Sequence, residues 1–331
     1  MYQNYLLTGV TGFLGREVVN VLICKKAQIR ALIMRNDPLA QRLPPGIELV
    51  YGDVCDDRSL HSFFLGADRE TCVFHMAGIV SVASNPGAQL YQVNVGGTRN
   101  ILSHCERCRV GKLVYVSSVH AIPPKPKGTI ITADARFSSN LVSGPYAKSK
   151  ALATSLVLDA ARRGLDASAV FPSGIIGPGD SGKGSITHML SMFLSGKLPI
   201  AVRGGYDFVD VRDAAQGLVA CAQSGAPGKG YILSGQYASL REILEAANRA
   251  SGQKRRVLYL PTFLAKAIAP LCEKWSIRKH QPLFFTPLAV AVLDSNAHFD
   301  RTASEKALGY KPRPLQDSIG DMVRWIRESV K

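Results

Sequence analysis

Long hydrophobic runs are missing from this chain. Its longest apolar candidate, Leu283 to Leu293, is interrupted by Pro287 and falls well short of the roughly 20 residues a membrane-spanning helix needs. The opening residues Met1-Tyr2-Gln3-Asn4-Tyr5 lack a basic stretch followed by an apolar one, the pattern of an export signal. Cysteines are few, 7 in 331 residues, odd in number and scattered, which excludes a disulfide framework and points to reduced thiols in a cytoplasmic protein. One group, His104-Cys105-Glu106-Arg107-Cys108, has suggestive spacing. A zinc site needs about four ligands and no second pair follows, so we expect no metal. Acidic residues are also scarce, 25 against 40 lysines and arginines, for a net charge of +15. Such an excess suits nucleic acid, an anionic membrane surface or anionic small molecules. The basic residues form only short clusters, such as Lys25-Lys26, Lys254-Arg255-Arg256 and Arg278-Lys279-His280. We therefore read a solvated basic surface and a phosphate-bearing ligand, with no nucleic-acid partner. Repeats and low-complexity linkers are absent.

What is present is a core. At 46% hydrophobic residues the chain buries a substantial interior and shows no composition of disorder. The first half alternates apolar strands with helical patterns. Strands are expected over 5–8, 29–34, 49–51, 72–75, 113–117 and 167–171, and helices over 13–26, 90–108 and 146–163. That alternation predicts right-handed crossovers and a doubly wound parallel α/β sheet with helices on both faces. After Pro172, glycine and proline crowd the chain up to Gly184, and helices then dominate. We expect a nucleotide-binding domain over residues 1–172. A mainly substrate-binding lobe is expected over 173–331, with a segment near 205–235 returning to the first domain.

The stretch Leu6-Leu7-Thr8-Gly9-Val10-Thr11-Gly12-Phe13-Leu14-Gly15-Arg16 follows the first strand and opens the first helix. Unshared N–H groups at a helix N-terminus attract an anion, and glycines let a pyrophosphate approach the backbone. The spacing, Gly9-x-x-Gly12-x-x-Gly15, departs from the usual dinucleotide fingerprint. At the end of the second strand an acidic residue selects NAD, whereas an arginine pairs with the 2′-phosphate of NADP. Here the strand ends Ile33-Met34-Arg35-Asn36-Asp37. Arg35 points to NADP(H) over NAD(H), with Asp37 as the competing group. Arg16, at the start of the first helix, either adds positive potential near the phosphates or faces solvent.

Further motifs follow in order: Gly52-Asp53, His75-Met76-Ala77-Gly78, Asn94-Val95-Gly96-Gly97-Thr98, Val116-Ser117-Ser118 and Tyr146-Ala147-Lys148-Ser149-Lys150. Phe208 to Ala215 and Leu308-Gly309-Tyr310-Lys311-Pro312 come later. Together with Thr8 to Gly15, their order and spacing resemble the extended short-chain dehydrogenase/reductase family over nearly the whole chain. The resemblance implies a Rossmann-type fold with a smaller, mostly helical C-terminal substrate lobe. It implies cofactor contacts from Thr8, Gly9, Thr11, Gly12, Phe13, Leu14 and Gly15, from Asp53 and Val54, and from Ala77 and Gly78. Pro172, Gly174 and Ile175 after the sixth strand complete the set. It also implies a homodimer through the helices near 90–108 and 146–163.

Tyr146 and Lys150, four apart on a helix, share a face. A phenol is a poor acid or base at neutral pH. A nearby ammonium favours the phenolate, and so does a positively charged oxidised nicotinamide, so Lys150 and the cofactor together are expected to draw Tyr146 toward a useful range. Ser118 is expected to donate to the substrate oxygen, and Lys150, by the resemblance, to bind the nicotinamide ribose. The family also contains dehydratases, which carry Thr-Asp-Glu where this chain has Ser117-Ser118-Val119, so dehydration is rejected. Its epimerases often place an asparagine after the sixth strand; Phe171-Pro172-Ser173-Gly174-Ile175 more resembles the dihydroflavonol-reductase-like and 3β-hydroxysteroid-dehydrogenase-like branches. The expected activity is hydride transfer to or from a hydrophobic cyclic ketone or alcohol. An NAD-dependent sugar-nucleotide epimerase and a non-catalytic NADP-binding protein are the alternatives.

In the second half Leu258 to Pro261, Phe263-Leu264, Ile268 to Leu271 and Leu283 to Leu293 are apolar enough to line a pocket for a ring compound. Ordinary helix core is the competing reading, and a membrane surface a third. Gly177 to Lys183 matches G-x-x-x-x-G-K, but Gly184 stands where an ATP site needs Ser or Thr. We read a substrate-side loop.

Overall fold

The computed structural model describes residues 2–180, 184–281 and 283–329. Its centre is a seven-stranded sheet. The strands are β1 (Asn4–Thr8), β2 (Gln28–Ile33), β3 (Glu48–Tyr51), β4 (Thr71–His75), β5 (Lys112–Val116) and β6 (Ala167–Pro172). Two short strands, β7 (Gly174–Ile176) and β8 (Ile200–Val202), and then β9 (Gly205–Asp210) precede the seventh, β10 (Gly230–Leu233). The order is β3-β2-β1-β4-β5-β6-β10, and every pairing is parallel.

Both faces of this sheet are covered, so side chains alternate between two cores. Along β1, Tyr5 and Leu7 point to one core and Leu6 to the other; Cys72 and Phe74 on β4 oppose Val73 in the same way. Helix α1 (Phe13–Cys24) packs on the first face, and α2 (Thr98–Cys108) and α3 (Pro145–Arg162) cover the second. The chain winds outward from β1 in one direction and from β4 in the other, so the crevice of the topological switch lies at the carboxyl ends of these two adjacent strands. In doubly wound sheets that crevice takes the ligand.

The helix expected over 90–108 is not continuous. Gln92–Gly97 form a π-helical segment between a short turn at Gln89–Tyr91 and α2. Such π segments cost helix regularity and are frequent at functional sites.

The remaining elements are α4 (Ser185–Leu194), α5 (Val211–Ser224), β11 (Gln236–Ser239), α6 (Leu240–Ser251), β12 (Leu258–Leu260), α7 (Thr262–Arg278), α8 (Pro287–Leu293), α9 (Thr302–Leu308) and α10 (Leu315–Ser329). Strands β11, β9 and β7 make a three-stranded sheet, and β12 pairs with β8. Helix α5 packs beside α1 on the first face. Among the described residues no helix is long and apolar enough to cross a membrane. The core reading of α7 is corrected by the structure: Phe263, Leu264, Ile268 and Leu271 stand outward, while Ala265 and Ala269 turn in.

Candidate active site

The glycine stretch forms the loop from β1 into α1. Gly9 has φ +74°, and a Cβ there would lie 2.6 Å from the backbone nitrogen of Ala77, so the loops after β1 and β4 touch. Gly15 sits in the first turn of α1, where a Cβ would lie 2.1 Å from the carbonyl oxygen of Gly9. Glycine is needed at both places for close backbone approach. The N-cap, Gly12, brings no side chain to the helix end, and the first turn holds no acidic residue. The leading N–H groups of α1 therefore keep an electropositive end without an internal carboxylate. Leu14 is buried and Phe13 packs against the core, so these two offer the crevice their backbone. Thr11 Oγ1 donates to Asp37 Oδ2 at 2.6 Å. The Arg16 guanidinium donates to the carbonyl of Gly179, bracing the loop that follows β7.

Thr8 lies beneath this loop, fully buried. Its Oγ1 accepts from the backbone N–H of Met76 at 3.2 Å and of Ala77 at 3.1 Å, and meets His75 Nδ1 at 2.8 Å. With two donors already on it, the Thr8 hydroxyl gives its own proton to Nδ1. His75 is then protonated at Nε2 and donates to Thr98 Oγ1 at 3.0 Å, which donates to the carbonyl of Asn94 at 2.7 Å. Burial holds the His75 imidazole neutral, its pKa pushed down to about 3, as this single-tautomer chain requires. The chain joins β1, β4 and the π segment. There Asn94 exchanges two hydrogen bonds with the backbone of Ile79, at 2.7 and 3.0 Å, and donates to Ser149 Oγ at 3.0 Å. Gly78 fits between: a Cβ on it would be 3.1 Å from Asn94 Oδ1 and 3.3 Å from Lys150 Nζ.

Ser118 ends the strand-β5 segment, and Tyr146 and Lys150 stand in the first turns of α3. Lys150 is buried; its Nζ donates to the carbonyl of Val116 at 2.7 Å and to Tyr115 Oη at 3.4 Å, 4.9 Å from the Tyr115 ring centre. Tyr146 remains partly open to the crevice. The protein packed around it pushes its hydroxyl up to about 12, with a hydrogen bond from Ser118 pulling the other way. In the nucleotide-free protein the expected lowering of Tyr146 is not seen. The ammonium is spent on the Val116 carbonyl, and desolvation, which favours the neutral phenol, is the larger effect. A neutral phenol is a proton donor.

Burial also pushes Lys150 down to about 7 from its ordinary 10.5. Between those values the unfolded chain holds a proton that the folded one releases, so this group makes stability rise with pH. Lys150→Met is expected to flatten the rise in Tm of the nucleotide-free protein between about pH 7 and 9. An equal slope in both proteins, read by thermal unfolding across that range, contradicts the assignment.

One neighbour escaped the sequence reading. His120 lies edge-on to Tyr146, with ring centres 6.1 Å apart, and stacks on Tyr206 of β9 at 5.5 Å, its Nε2 3.3 Å from Tyr206 Oη. Burial pushes its pKa down to about 4. Its only sequence signal was proximity to Ser118. Asn94 did have one, an asparagine before paired glycines inside a helical pattern.

The other expected residues differ in their surroundings. Arg35, past the end of β2, is exposed and has no acidic partner among the described residues. Asp37 is engaged through both carboxylate oxygens, by Thr11 and by the N–H of Leu39 at 2.9 Å. Asp53 turns its carboxylate onto the N–H of Cys55 at 2.8 Å, and Val54 is buried against Gly97. Pro172 closes β6, whereas Gly174 and Ile175 belong to β7 and run beside β9. His104 does not converge with Cys105, which is in the core; its Nε2 meets Asp57 Oδ1 at 3.0 Å, with His61 alongside. All seven cysteines are free thiols. The end of the G-x-x-x-x-G-K match, Ser181 to Lys183, lies outside the described residues.

A helix N-terminus without its own cap, a loop whose glycines allow backbone contact, and a lysine beside Gly78 together fit a dinucleotide. Comparison with known proteins agrees. The model of the NAD dependent epimerase/dehydratase family matches residues 5–234. Sterol demethylase protein B of Methylococcus capsulatus is 30% identical over 98% of both chains. A putative dihydroflavonol 4-reductase of Synechocystis sp. is 32% identical, covering 99% of this chain and 95% of its own. The crystal structure of gox2253 superposes with a TM-score of 0.85 at 28% identity, over 99% of this chain and 98% of that one. The chain thus belongs to the NAD-dependent epimerase/dehydratase family, the extended short-chain dehydrogenases/reductases, enzymes that use a nicotinamide cofactor.

Proposed function

We propose that this enzyme is an NADP(H)-dependent reductase or alcohol dehydrogenase acting on a ketone or secondary alcohol of a hydrophobic cyclic compound. The observation that carries the proposal is the bond from Lys150 to the Val116 carbonyl at 2.7 Å, which seats the first turns of α3, with Tyr146 partly open, against the end of β5 that carries Ser118. Ser118 orients the substrate oxygen and donates to it as charge develops. Tyr146 passes its proton to that oxygen in reduction, and takes it back in oxidation. Lys150, fixed on Val116, presents its remaining donor capacity toward the ribose side. When bound, the nicotinamide supplies or accepts the hydride.

The cofactor form follows from Arg35 and Asp37. Asp37 is already bonded to Thr11 and Leu39, whereas the Arg35 guanidinium is available for a 2′-phosphate. Arg35→Ser is expected to reduce the preference for NADPH over NADH by about tenfold to a hundredfold, the worth of a charge-assisted hydrogen bond or two. An unchanged preference rejects this role. Mass spectrometry of the nucleotide released on denaturing the purified protein is the companion measurement. NADP, or a site that refills with NADPH, supports an exchanging reductase; tightly held NAD supports an epimerase, which recycles its cofactor in place.

Leu288 of α8 lies over Gly144, two residues before Tyr146, 3.1 Å from where the Gly144 Cβ would be. An apolar wall of this kind suits a ring compound, as do the relatives named for a sterol and a dihydroflavonol. A panel of cyclic ketones with NADPH oxidation as readout tests the class; activity confined to nucleotide sugars defeats it.

A further inference from the structure

Helix α7 is inverted in its use of apolar residues. Toward the protein it turns Ala265, Ala269 and Glu273, whose carboxylate accepts from the N–H and hydroxyl of Ser84, both at 2.7 Å. Toward solvent it turns Leu264, Ile268, Leu271 and Trp275. Their spacing, i, i+4, i+7 and i+11, places all four on one face. Leu271 and Trp275 keep 69% and 60% of their surface exposed, and Phe263, at the start of the helix, keeps 70%. A contiguous apolar stripe of this kind on a folded protein marks a surface that something covers.

The charges beside it say what. Lys274, Arg278 and Lys279 flank the stripe, all exposed and without an acidic partner among the described residues. Arg256 and Leu258, on the chain leading into the helix, repeat the pairing of cation and exposed apolar residue. The whole chain carries a net charge of +15. A second copy of this chain, docked symmetrically, would set these cations against each other, and lysine is depleted at protein interfaces. A bilayer with anionic headgroups satisfies both features. Leu, Phe and Trp enter the boundary between headgroups and acyl chains, and Lys and Arg meet the lipid phosphates.

We propose that α7 is a docking helix that seats this protein on an anionic membrane surface, lying in the plane of the interface without crossing it. Through Glu273 and Ser84 the docked helix is tied to the loop that follows Gly78, so the crevice sits close to the membrane it would rest on. The proposal stands on the surface itself and does not depend on the identity of the substrate.

The test is sedimentation of the full chain with vesicles of equal parts phosphatidylglycerol and phosphatidylcholine, and with vesicles of phosphatidylcholine alone. Binding to the anionic vesicles is expected, weaker in high salt and at least about tenfold weaker to the neutral ones. In Leu271→Ser/Trp275→Ser, binding is expected to fall about tenfold or more with circular dichroism and Tm unchanged, because both side chains are solvent-facing. Trp275 fluorescence, read in a Trp325→Phe background, is expected to shift blue on anionic vesicles. Absence of binding to either vesicle overturns the proposal. So does binding that the double variant leaves intact, or a dimer that the double variant dissociates while vesicles remain unbound.

Discussion

Tyr146→Phe is expected to lower turnover by about 10²–10⁴-fold, the usual worth of a positioned proton donor, while the affinity for NADPH changes little. The substitution removes one oxygen and keeps the ring, so the packing of His120 and Tyr206 beside it survives. What is lost is the hydroxyl, and with it the proposed proton donor. Because burial already holds this phenol neutral, with its pKa pushed up to about 12, the reductive direction needs no prior deprotonation. The nucleotide-free protein is thus in the proton-donating form across the physiological range. Oxidation of an alcohol needs the phenolate and is expected to speed up as pH rises toward that value, as far as the fold survives. Stopped-flow reduction of a cyclic ketone by the variant, paired with fluorescence titration of NADPH, checks both halves. Turnover within a few-fold of the parent removes Tyr146 from the chemistry.

The second large effect separates two glycines that look alike in the sequence. At Gly15 an added Cβ would lie 2.1 Å from the Gly9 carbonyl oxygen and 2.8 Å from the Val10 Cα. Neither atom can give way without moving the loop. Gly15→Ala is expected to destabilise the nucleotide-free protein by roughly 1–3 kcal/mol, as overpacking does, and to weaken dinucleotide binding by about tenfold to a hundredfold, the worth of one or two displaced charge-assisted hydrogen bonds. At Gly12 the backbone is ordinary, with φ −70° and ψ 168°. The nearest atom to its Cβ position is the Gly9 carbonyl oxygen at 3.3 Å. Gly12→Ala is expected to leave Tm nearly unchanged yet still to weaken binding, because the constraint there comes from a ligand approaching the helix end and not from the protein. Thermal unfolding with and without NADPH distinguishes the two. Equal losses of stability in both variants would mean that the loop is shaped by packing alone and that Gly12 carries no ligand.

Several features of this protein were written in short stretches of its sequence. The alternation of strand and helix patterns sufficed for a parallel sheet with covered faces. A glycine loop between the first strand and the first helix sufficed for a close backbone turn into a helix end without a side-chain cap. Four-residue spacing put Tyr146 and Lys150 on one face. Each begins in bond geometry within a few residues, which neighbours in the chain favour. Other features depend on strands and helices distant in sequence. His120 meets Tyr206 across 86 positions, and the Thr8 hydroxyl meets the imidazole of His75 across 67. The Lys150 ammonium was expected to serve Tyr146, but its nearest acceptor is the Val116 carbonyl, placed there by the end of β5. The stripe on α7 shows the boundary most plainly. Periodicity alone reveals that Leu264, Ile268, Leu271 and Trp275 share a face. Whether that face is buried depends on which side of the helix Glu273 fastens to Ser84, and only the closed fold brings those two residues together.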